Sequence, residues 1–405
     1  MTMLQLLRRH PRYLTYGFLH YFFSAVGQTF FVSLFVVAVT ARLGWGDKTF
    51  AGVYSAATLA AAFSLPFIGT LVDRLRIRYV STAAALALIL ACGVLATTRN
   101  FYVFALALFV ARLGGQGVLP LIGSTTIGRF FVTGRGKALS LAIVGISLAE
   151  VVLPPVAVAV MAAYGYRWMW LGMAGLLALV FIPAVWLLIK RFDAFQRGDT
   201  VEESVREEQE VPLASWTRRE VLGDRRFRLL IPVFIFLPFV FTGLVFNQSV
   251  IAGVRGYSPE LMAWGLSTFG LLRVICLLGA GPLVDRFGAA SLLRFAYLPL
   301  ILGLAVLAVL SAGQAVPIFF ALGGMTAGIE SVLMPALWAE RYGPRFLGSI
   351  KSTVRLLVVL AAAAAPIVFS YGLDFGLSTW LLALVGYGLL CILLLSVERK
   401  VIPSA

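Results

Sequence analysis

A chain of 405 residues that is 60% hydrophobic and 13% charged has more apolar surface than one water-soluble core can bury, so bilayer is its natural solvent. Long continuous apolar runs exclude a barrel of short alternating strands and select helices, which satisfy their own backbone in hydrocarbon. The net charge of +15 does not imply a nucleic-acid partner, because the basic residues are scattered through short loops rather than gathered on one soluble face.

In chain order, MTMLQLLRRHPRY leads into a long apolar run with no small-residue cleavage site, so no removable signal peptide is expected. Spans are predicted near 14–40, 50–71, 79–98, 101–124, 138–163 and 168–189, making an N-terminal half over 1–189. Residues 190–228 change composition abruptly, from an acidic stretch (Asp199, Glu202, Glu203, Glu207, Glu208, Glu210) to a basic one (Arg218, Arg219, Arg225, Arg226, Arg228). They read as a cytoplasmic linker, either a solvated tether or in part an amphipathic helix with Trp216 among the headgroups. Six further spans, near 229–252, 260–283, 291–311, 315–338, 351–371 and 378–397, make a C-terminal half over 229–405.

Arginine and lysine set the orientation. One set of flanks holds Arg8, Arg9, Arg12, Arg74, Arg76, Arg78, Arg129, Arg135, Lys137, Arg286, Arg294, Arg341, Arg345, Lys351, Arg399 and Lys400, whereas the opposite loops hold only Arg42, Lys48, Arg99, Arg167 and Arg255. Both termini and the linker are therefore expected in the cytoplasm of a bacterial inner membrane. Cys92, Cys276 and Cys391 lie inside apolar runs at unrelated spacings and imply neither disulfides nor a metal site.

An internal repeat specifies the architecture. Gly69-Thr-Leu-Val-Asp73-Arg74 recurs as Gly281-Pro-Leu-Val-Asp285-Arg286, and 281 minus 69 is 212. The same offset pairs Arg129 with Arg341, Gly136 with Gly348, Pro154 with Pro366 and Trp168 with Trp380. One ungapped register from the second to the sixth span of each half implies two duplicated six-helix bundles in parallel orientation.

At these residues the chain resembles the major facilitator superfamily, whose loop between spans 2 and 3 carries Gly-x-x-x-Asp-Arg/Lys-x-Gly-Arg-Arg, with a degenerate copy between spans 8 and 9. Gly69, Asp73, Arg74 and Arg78 match, and so do Gly281, Asp285 and Arg286; Arg76 and Ile77 stand where the family prefers Gly and Arg. The resemblance covers essentially the whole chain and implies an all-α fold of twelve transmembrane helices in two pseudo-symmetric bundles. It also implies a gating role for these seven residues, with glycine permitting close helix approach and aspartate receiving hydrogen bonds at a helix end. Arg112-Leu-Gly-Gly-Gln-Gly117 resembles the family's span 4 motif, whereas span 5, with Gly145 and Pro154-Pro155, lacks the Gly-Pro-x-x-Gly-Gly pattern of proton-driven drug exporters.

Charges inside the bilayer cost roughly 2.5 to 3.5 kcal/mol each at a helix centre, which makes them the strongest local signal of function. The deep ones are Arg112, Glu150, Arg273, Glu330 and Arg355, all on spans that line a central cavity in the resembled fold. Three arginines against two carboxylates leave that cavity electropositive, so a small organic anion is the expected substrate, clamped by Arg273 with Arg112 and Arg355 completing the path. An arginine deep in span 8 is also similar to the monocarboxylate porters and the oxalate:formate antiporters, although Phe269 occupies the position where animal monocarboxylate porters have an Asp. Glu330, Glu150 and His20 are the candidate proton carriers. Tyr16 and Gln28 on span 1, with Asn247 and Gln248 on span 7, are candidates to shape the organic part of the site.

The expected activity is secondary active transport of a monocarboxylate by alternating access, in symport with a proton and functional as a monomer. Anion exchange without protons and carriage of a larger amphiphile, a siderophore or a drug, are the alternatives. No Ser-His-Asp set, metal-ligand cluster or phosphate-binding glycine loop is present, so neither an enzyme nor a cofactor is expected.

Overall fold

Hydrocarbon offers a peptide group no partner but another peptide group, so each crossing must be a helix, and any break in it must be satisfied by the protein around it. The computed structural model describes residues 3–131, 135–189, 216–342 and 347–401, and among these it holds twelve helical spans. Span 1 comprises Pro11–Gly27 and Thr29–Leu43, bent by 42°. Spans 2 to 6 are Asp47–Arg74, Ile77–Thr97, Phe101–Ala111 with its continuation to Phe130, Arg135–Tyr164 and Tyr166–Ile189. Span 7 is Arg225–Phe246, continued as Gln248–Arg255, and spans 8 to 12 are Pro259–Phe287, Ala289–Val309, Ala315–Tyr342, Leu347–Gly372 and Leu377–Val401.

The duplication extends to where helices begin. Spans 2 and 3 start at Asp47 and Ile77; adding 212 gives Pro259 and Ala289, the starts of spans 8 and 9. Spans 3 and 9 also end in register, at Thr97 and Val309. An even number of crossings puts both termini at one end of the molecule; the other is called the far end below.

Two of the five basic residues that fall outside the orientation rule have a symmetric structural use at the far end. Arg42 closes span 1, donating to the carbonyls of Ala96 (2.9 Å) and Thr97 (2.6 Å). Arg255 closes span 7, donating to Leu307 and Ala308 (3.3 Å each). Each guanidinium therefore caps the negative C-terminus of a neighbouring span, and Gly44 and Gly256, at φ of 67° and 68°, take the left-handed turn that ends its own.

At the other end, 190–215, including the acidic stretch, lies outside the described residues, but the basic stretch is helical and docked. Thr217 and Glu220 form a capping box on the short helix Arg218–Gly223. The Trp216 backbone N–H donates to the Tyr342 carbonyl at 3.0 Å, and its ring packs edge-on to Tyr342. Trp216 is thus tied to the end of span 10, and span 7 begins at Arg225 rather than near 229.

The halves are joined at and beyond the midplane. Lys48 at the start of span 2 pairs with Asp374 after span 11 at 2.5 Å, and Gln248 on span 7 donates to Ser33 on span 1 at 2.8 Å. Phe50 and Tyr54 of span 2 pack their rings on Phe246 of span 7, and Ser267 of span 8 donates to the Val151 carbonyl of span 5 at 2.6 Å. Nearer the termini, Arg355 on span 11 is solvent-exposed although Tyr21 and Arg112 of the opposite half lie within its electrostatic reach. The ties between the halves seen among the described residues therefore lie at the midplane and the far end, and Arg355, nearer the termini, is exposed.

Candidate functional site

The five deep charges stand on a scaffold that does not require them. At the 212-residue offset Arg273 corresponds to Ala61, Glu150 to Ala362, Glu330 to Val118, Arg355 to Ile143 and Arg112 to Gly324. Equivalent helices fold with apolar or small residues at these positions, so the insertion cost of each charge calls for a use of its own.

Glu150 and Arg273 stand at the midpoints of spans 5 and 8. One guanidinium nitrogen of Arg273 donates to both carboxylate oxygens, at 2.7 and 3.0 Å, which makes an ion pair across the seam between the halves. Gly270, one turn earlier, lets the seam close: a Cβ there would fall 2.8 Å from the Ser147 carbonyl and 2.9 Å from Glu150 Cβ. Span 10 presses on the other side of span 8, where a Cβ on Gly324 would lie 2.3 Å from the Phe269 carbonyl and one on Gly328 2.5 Å from that of Arg273. Phe269 stacks on Phe241 with centroids 4.0 Å apart, so the position expected to matter for its missing carboxylate is a packing position here.

Around this pair lie the other cavity groups. Glu330 accepts a hydrogen bond from Tyr297 of span 9 at 3.2 Å and is within electrostatic reach of Arg273. Tyr21 of span 1 bonds to Ser124 of span 4 and lies within reach of both Arg355 and Arg273. Tyr21 and Tyr297 were not singled out in the sequence, where a tyrosine among 13 carries no distinguishing spacing. Arg355 is the exposed cation of the group.

Three expected site residues are buried elsewhere. Arg112, only 1% exposed, opens the π-helical turn Arg112–Val118 and points into the N-terminal half. Its Nε donates to Thr58 Oγ1 at 2.9 Å, one terminal nitrogen donates to the Gly27 carbonyl at 2.6 Å, and its guanidinium lies 4.5 Å from the Tyr54 ring centroid. Gly27 ends the first part of broken span 1, so the charge sits on a helix C-terminus and is offset by that dipole and by the ring. Arg112 therefore does not extend the electropositive path in this state. Tyr16 and His20 are also fully buried: His20 Nδ1 donates to the Tyr16 carbonyl (2.8 Å), its Nε2 bonds to Ser81 Oγ (2.9 Å), and that hydroxyl bonds to the Tyr16 phenol (2.7 Å). The closed ring of bonds ties span 1 to span 3, away from Glu150 and Arg273.

The span 7 candidates serve the break in that span. Asn247 donates to the carbonyls of Gly243 (2.9 Å) and Pro366 (3.4 Å) and accepts from Ser370 (3.0 Å), while Gln248 is the far-end tie to Ser33. Gln28, half-buried, is the extended residue at the break in span 1. In the gating motifs the side chains of Asp73, Arg74 and Asp285, and the surroundings of Gly69, lie outside what the structure describes. Arg78 lies over the rings of Tyr79 and Trp186, and Arg286 over Phe287. Among the described residues, a Cβ on Gly281 would meet nothing within 4 Å.

Solved structures resemble the chain over nearly its whole length. A mutant of the nucleoside transporter NupG superposes with a TM-score of 0.70 at 13% identity, covering 96% of this chain and 99% of that one. A bacterial homologue of the human lysosomal transporter Spinster, inward-facing and unoccupied, gives 0.68 at 13% identity over 96% and 97%. The human organic anion transporter MFSD10 gives 0.64 at 20% identity over 96% and 99%. Among curated proteins, none matches the sequence. The sequence itself fits the Major Facilitator Superfamily profile over residues 17–366, and the chain is a transporter belonging to that superfamily.

Proposed function

We propose that the chain carries a small organic anion, in the first instance a monocarboxylate, by alternating access and in symport with a proton held by Glu150. The observation that carries this reading is the pair of cations between the halves: Arg355 is exposed to the cavity, and Arg273 is held by a carboxylate from the opposite half. A proton on Glu150 removes the charge that holds Arg273, and the freed guanidinium takes the substrate carboxylate in its place, with Arg355 and Tyr21 beside it. Proton and anion then arrive together, and the halves rock around them. The arginine bias puts the termini in the cytoplasm, so the tied far end faces outward. The neighbours named for nucleosides and organic anions share only the fold at these identities, so the substrate class rests on the cavity's own charges.

The test is uptake of labelled short-chain monocarboxylates into proteoliposomes, with and without an inward proton gradient, for wild type, Arg273→Ala and Arg355→Gln. Gradient-stimulated uptake that falls at least tenfold in both variants supports the reading. Uptake that ignores the proton gradient but rises with anion loaded inside supports exchange instead.

A larger amphiphile is favoured by a different feature, a mostly apolar cavity of about 510 Å³ between the far ends of spans 1, 5, 7 and 8, lined by Leu34, Met161, Gln248, Ala252 and Met262 among others. Absence of carboxylate uptake by folded wild-type protein, with saturable binding of such a compound, moves the assignment there.

A further inference from the structure

We infer that Arg112 is a positioning residue that holds the far gate shut through Tyr54. The inference rests on alternating access in this fold and is independent of the substrate class proposed above. The gate is aromatic: Tyr54 and Phe50 of the N-terminal half meet Phe246 of the C-terminal half, with centroids 4.5 and 5.7 Å apart, and all three rings are buried. Phe246 is the last residue before span 7 breaks at Asn247, so the gate closes on an irregular piece of backbone.

Tyr54 is held from three directions. Its ring packs against Phe246 and lies under the Arg112 guanidinium, and its hydroxyl bonds to Thr29 Oγ1 at 2.7 Å. Thr58, one turn along span 2, accepts from Arg112 Nε while its own hydroxyl donates to the Tyr54 carbonyl at 2.8 Å. Arg112 reaches the break in span 1 from both sides, through the Gly27 carbonyl directly and through Tyr54 to Thr29. The close fit depends on glycine, because a Cβ on Gly27 would fall 2.1 Å from the Ala111 carbonyl and one on Gly115 2.4 Å from the Gly27 nitrogen.

One side chain thus makes the broken middle of span 1, the start of span 2 and the π turn of span 4 a single body that presents Tyr54 to Phe246. The fork geometry matters, since lysine brings one charge but cannot donate from separate nitrogens to Thr58 and Gly27. The second terminal nitrogen of Arg112 is buried with no hydrogen-bond partner among the described residues. The clamp is therefore not fully satisfied, which lowers the cost of releasing it when the gate must open.

The experiment is a distance measurement between spin labels at Asp47→Cys and Phe375→Cys, exposed positions flanking the far seam, in full-length protein in lipid nanodiscs with Cys276→Ala. Wild type is expected to give one short distance without substrate. Arg112→Met is expected to add a longer population, raising the open-to-closed ratio at the far end at least tenfold, with Arg112→Lys between the two. Tyr54→Leu should match Arg112→Met, and it carries the test by itself if Arg112→Met does not fold. A single short distance in folded Arg112→Met or Tyr54→Leu overturns the inference. So does an open population in Tyr54→Leu that folded Arg112→Met lacks, because Arg112 would then not be acting through the ring.

Discussion

Glu150 and Arg273 come from opposite halves of the molecule and meet at its midplane, where a single guanidinium nitrogen spans both carboxylate oxygens at 2.7 and 3.0 Å. Removing one partner of a largely buried pair leaves the other uncompensated, at a cost of roughly 3–5 kcal/mol when burial is complete. Arg273 keeps 21% of its side chain exposed, so the loss here should fall below that range. Arg273→Met is therefore expected to lower the melting temperature of the detergent-solubilised protein, and the Glu150→Gln/Arg273→Met double variant to recover most of the loss. Additive losses would show that the two side chains do not act as a pair.

The same contact predicts a pH profile. With Glu150 as the carrier, wild-type uptake rises as external pH falls, because the proton must occupy Glu150 before Arg273 is free. Glu150→Gln is neutral at every pH, so its anion binding should be flat between pH 5 and 8 and its uptake indifferent to the gradient. A Glu150→Gln protein that retains gradient stimulation removes Glu150 from the carrier role.

At the far end Lys48 and Asp374 pair at 2.5 Å, but their side chains are 46% and 57% exposed. Surface pairs of this kind contribute about 0–1 kcal/mol and are screened by salt. Lys48→Ala should therefore shift the open-to-closed ratio at the far end by no more than about fivefold, and the shift should fade in ~1 M salt. The spin-label distances used for the gate report this directly. A larger, salt-independent shift would place the latch in this pair instead of the buried rings.

Glycines divide into those that touch backbone and those that face open space. A Cβ on Gly145 would lie 2.2 Å from the Phe18 carbonyl and one on Gly324 2.3 Å from that of Phe269, whereas one on Gly172 or Gly386 would meet nothing within 4 Å among the described residues. Overpacking against backbone costs about 1–3 kcal/mol or more, while alanine in an open helical position adds up to ~1 kcal/mol. Gly145→Ala and Gly324→Ala are expected to lose monodisperse protein in size-exclusion chromatography, and Gly172→Ala and Gly386→Ala to keep or raise the melting temperature.

The sequence displays the twelve spans and the duplication because both are written in hydropathy and in a constant offset, which side-chain packing does not disturb. It also displays which residues carry deep charge, because charge at bilayer depth is conspicuous whatever its partner. What it hides is direction. Arg112, Glu150 and Arg273 look alike as charges in apolar runs, yet one caps a broken helix in the N-terminal half and two meet across the seam. That difference depends on backbone irregularities, the break at Gly27 and the π turn from Arg112, and glycine content alone does not distinguish them from ordinary close packing. Tyr21 and Tyr297 were hidden for a related reason, since nothing in their spacing tells a cavity hydroxyl from an interface anchor.

Glu330 shares its chemistry with Glu150 but not its position between the halves. Its carboxylate accepts from Tyr297, which is fully buried at the junction of Ala289–Ala296 and Leu298–Val309, and Thr326, one turn earlier on span 10, accepts the Leu300 N–H beyond that junction at 3.1 Å. Both bonds lie within the C-terminal half and join span 10 to the break in span 9, so they need not change when the halves rock. Glu330→Gln keeps an acceptor for the Tyr297 hydroxyl and should retain gradient-stimulated uptake within about twofold. Tyr297→Phe removes the donor and should act mainly on stability, by roughly 0.5–1.5 kcal/mol, the net contribution of an ordinary hydrogen bond, or less given its 3.2 Å length. The two glutamines therefore discriminate between carriers in one proteoliposome assay. Loss of gradient stimulation in Glu330→Gln, with its retention in Glu150→Gln, would transfer the proton to the C-terminal half and leave the Glu150–Arg273 pair as a seam contact.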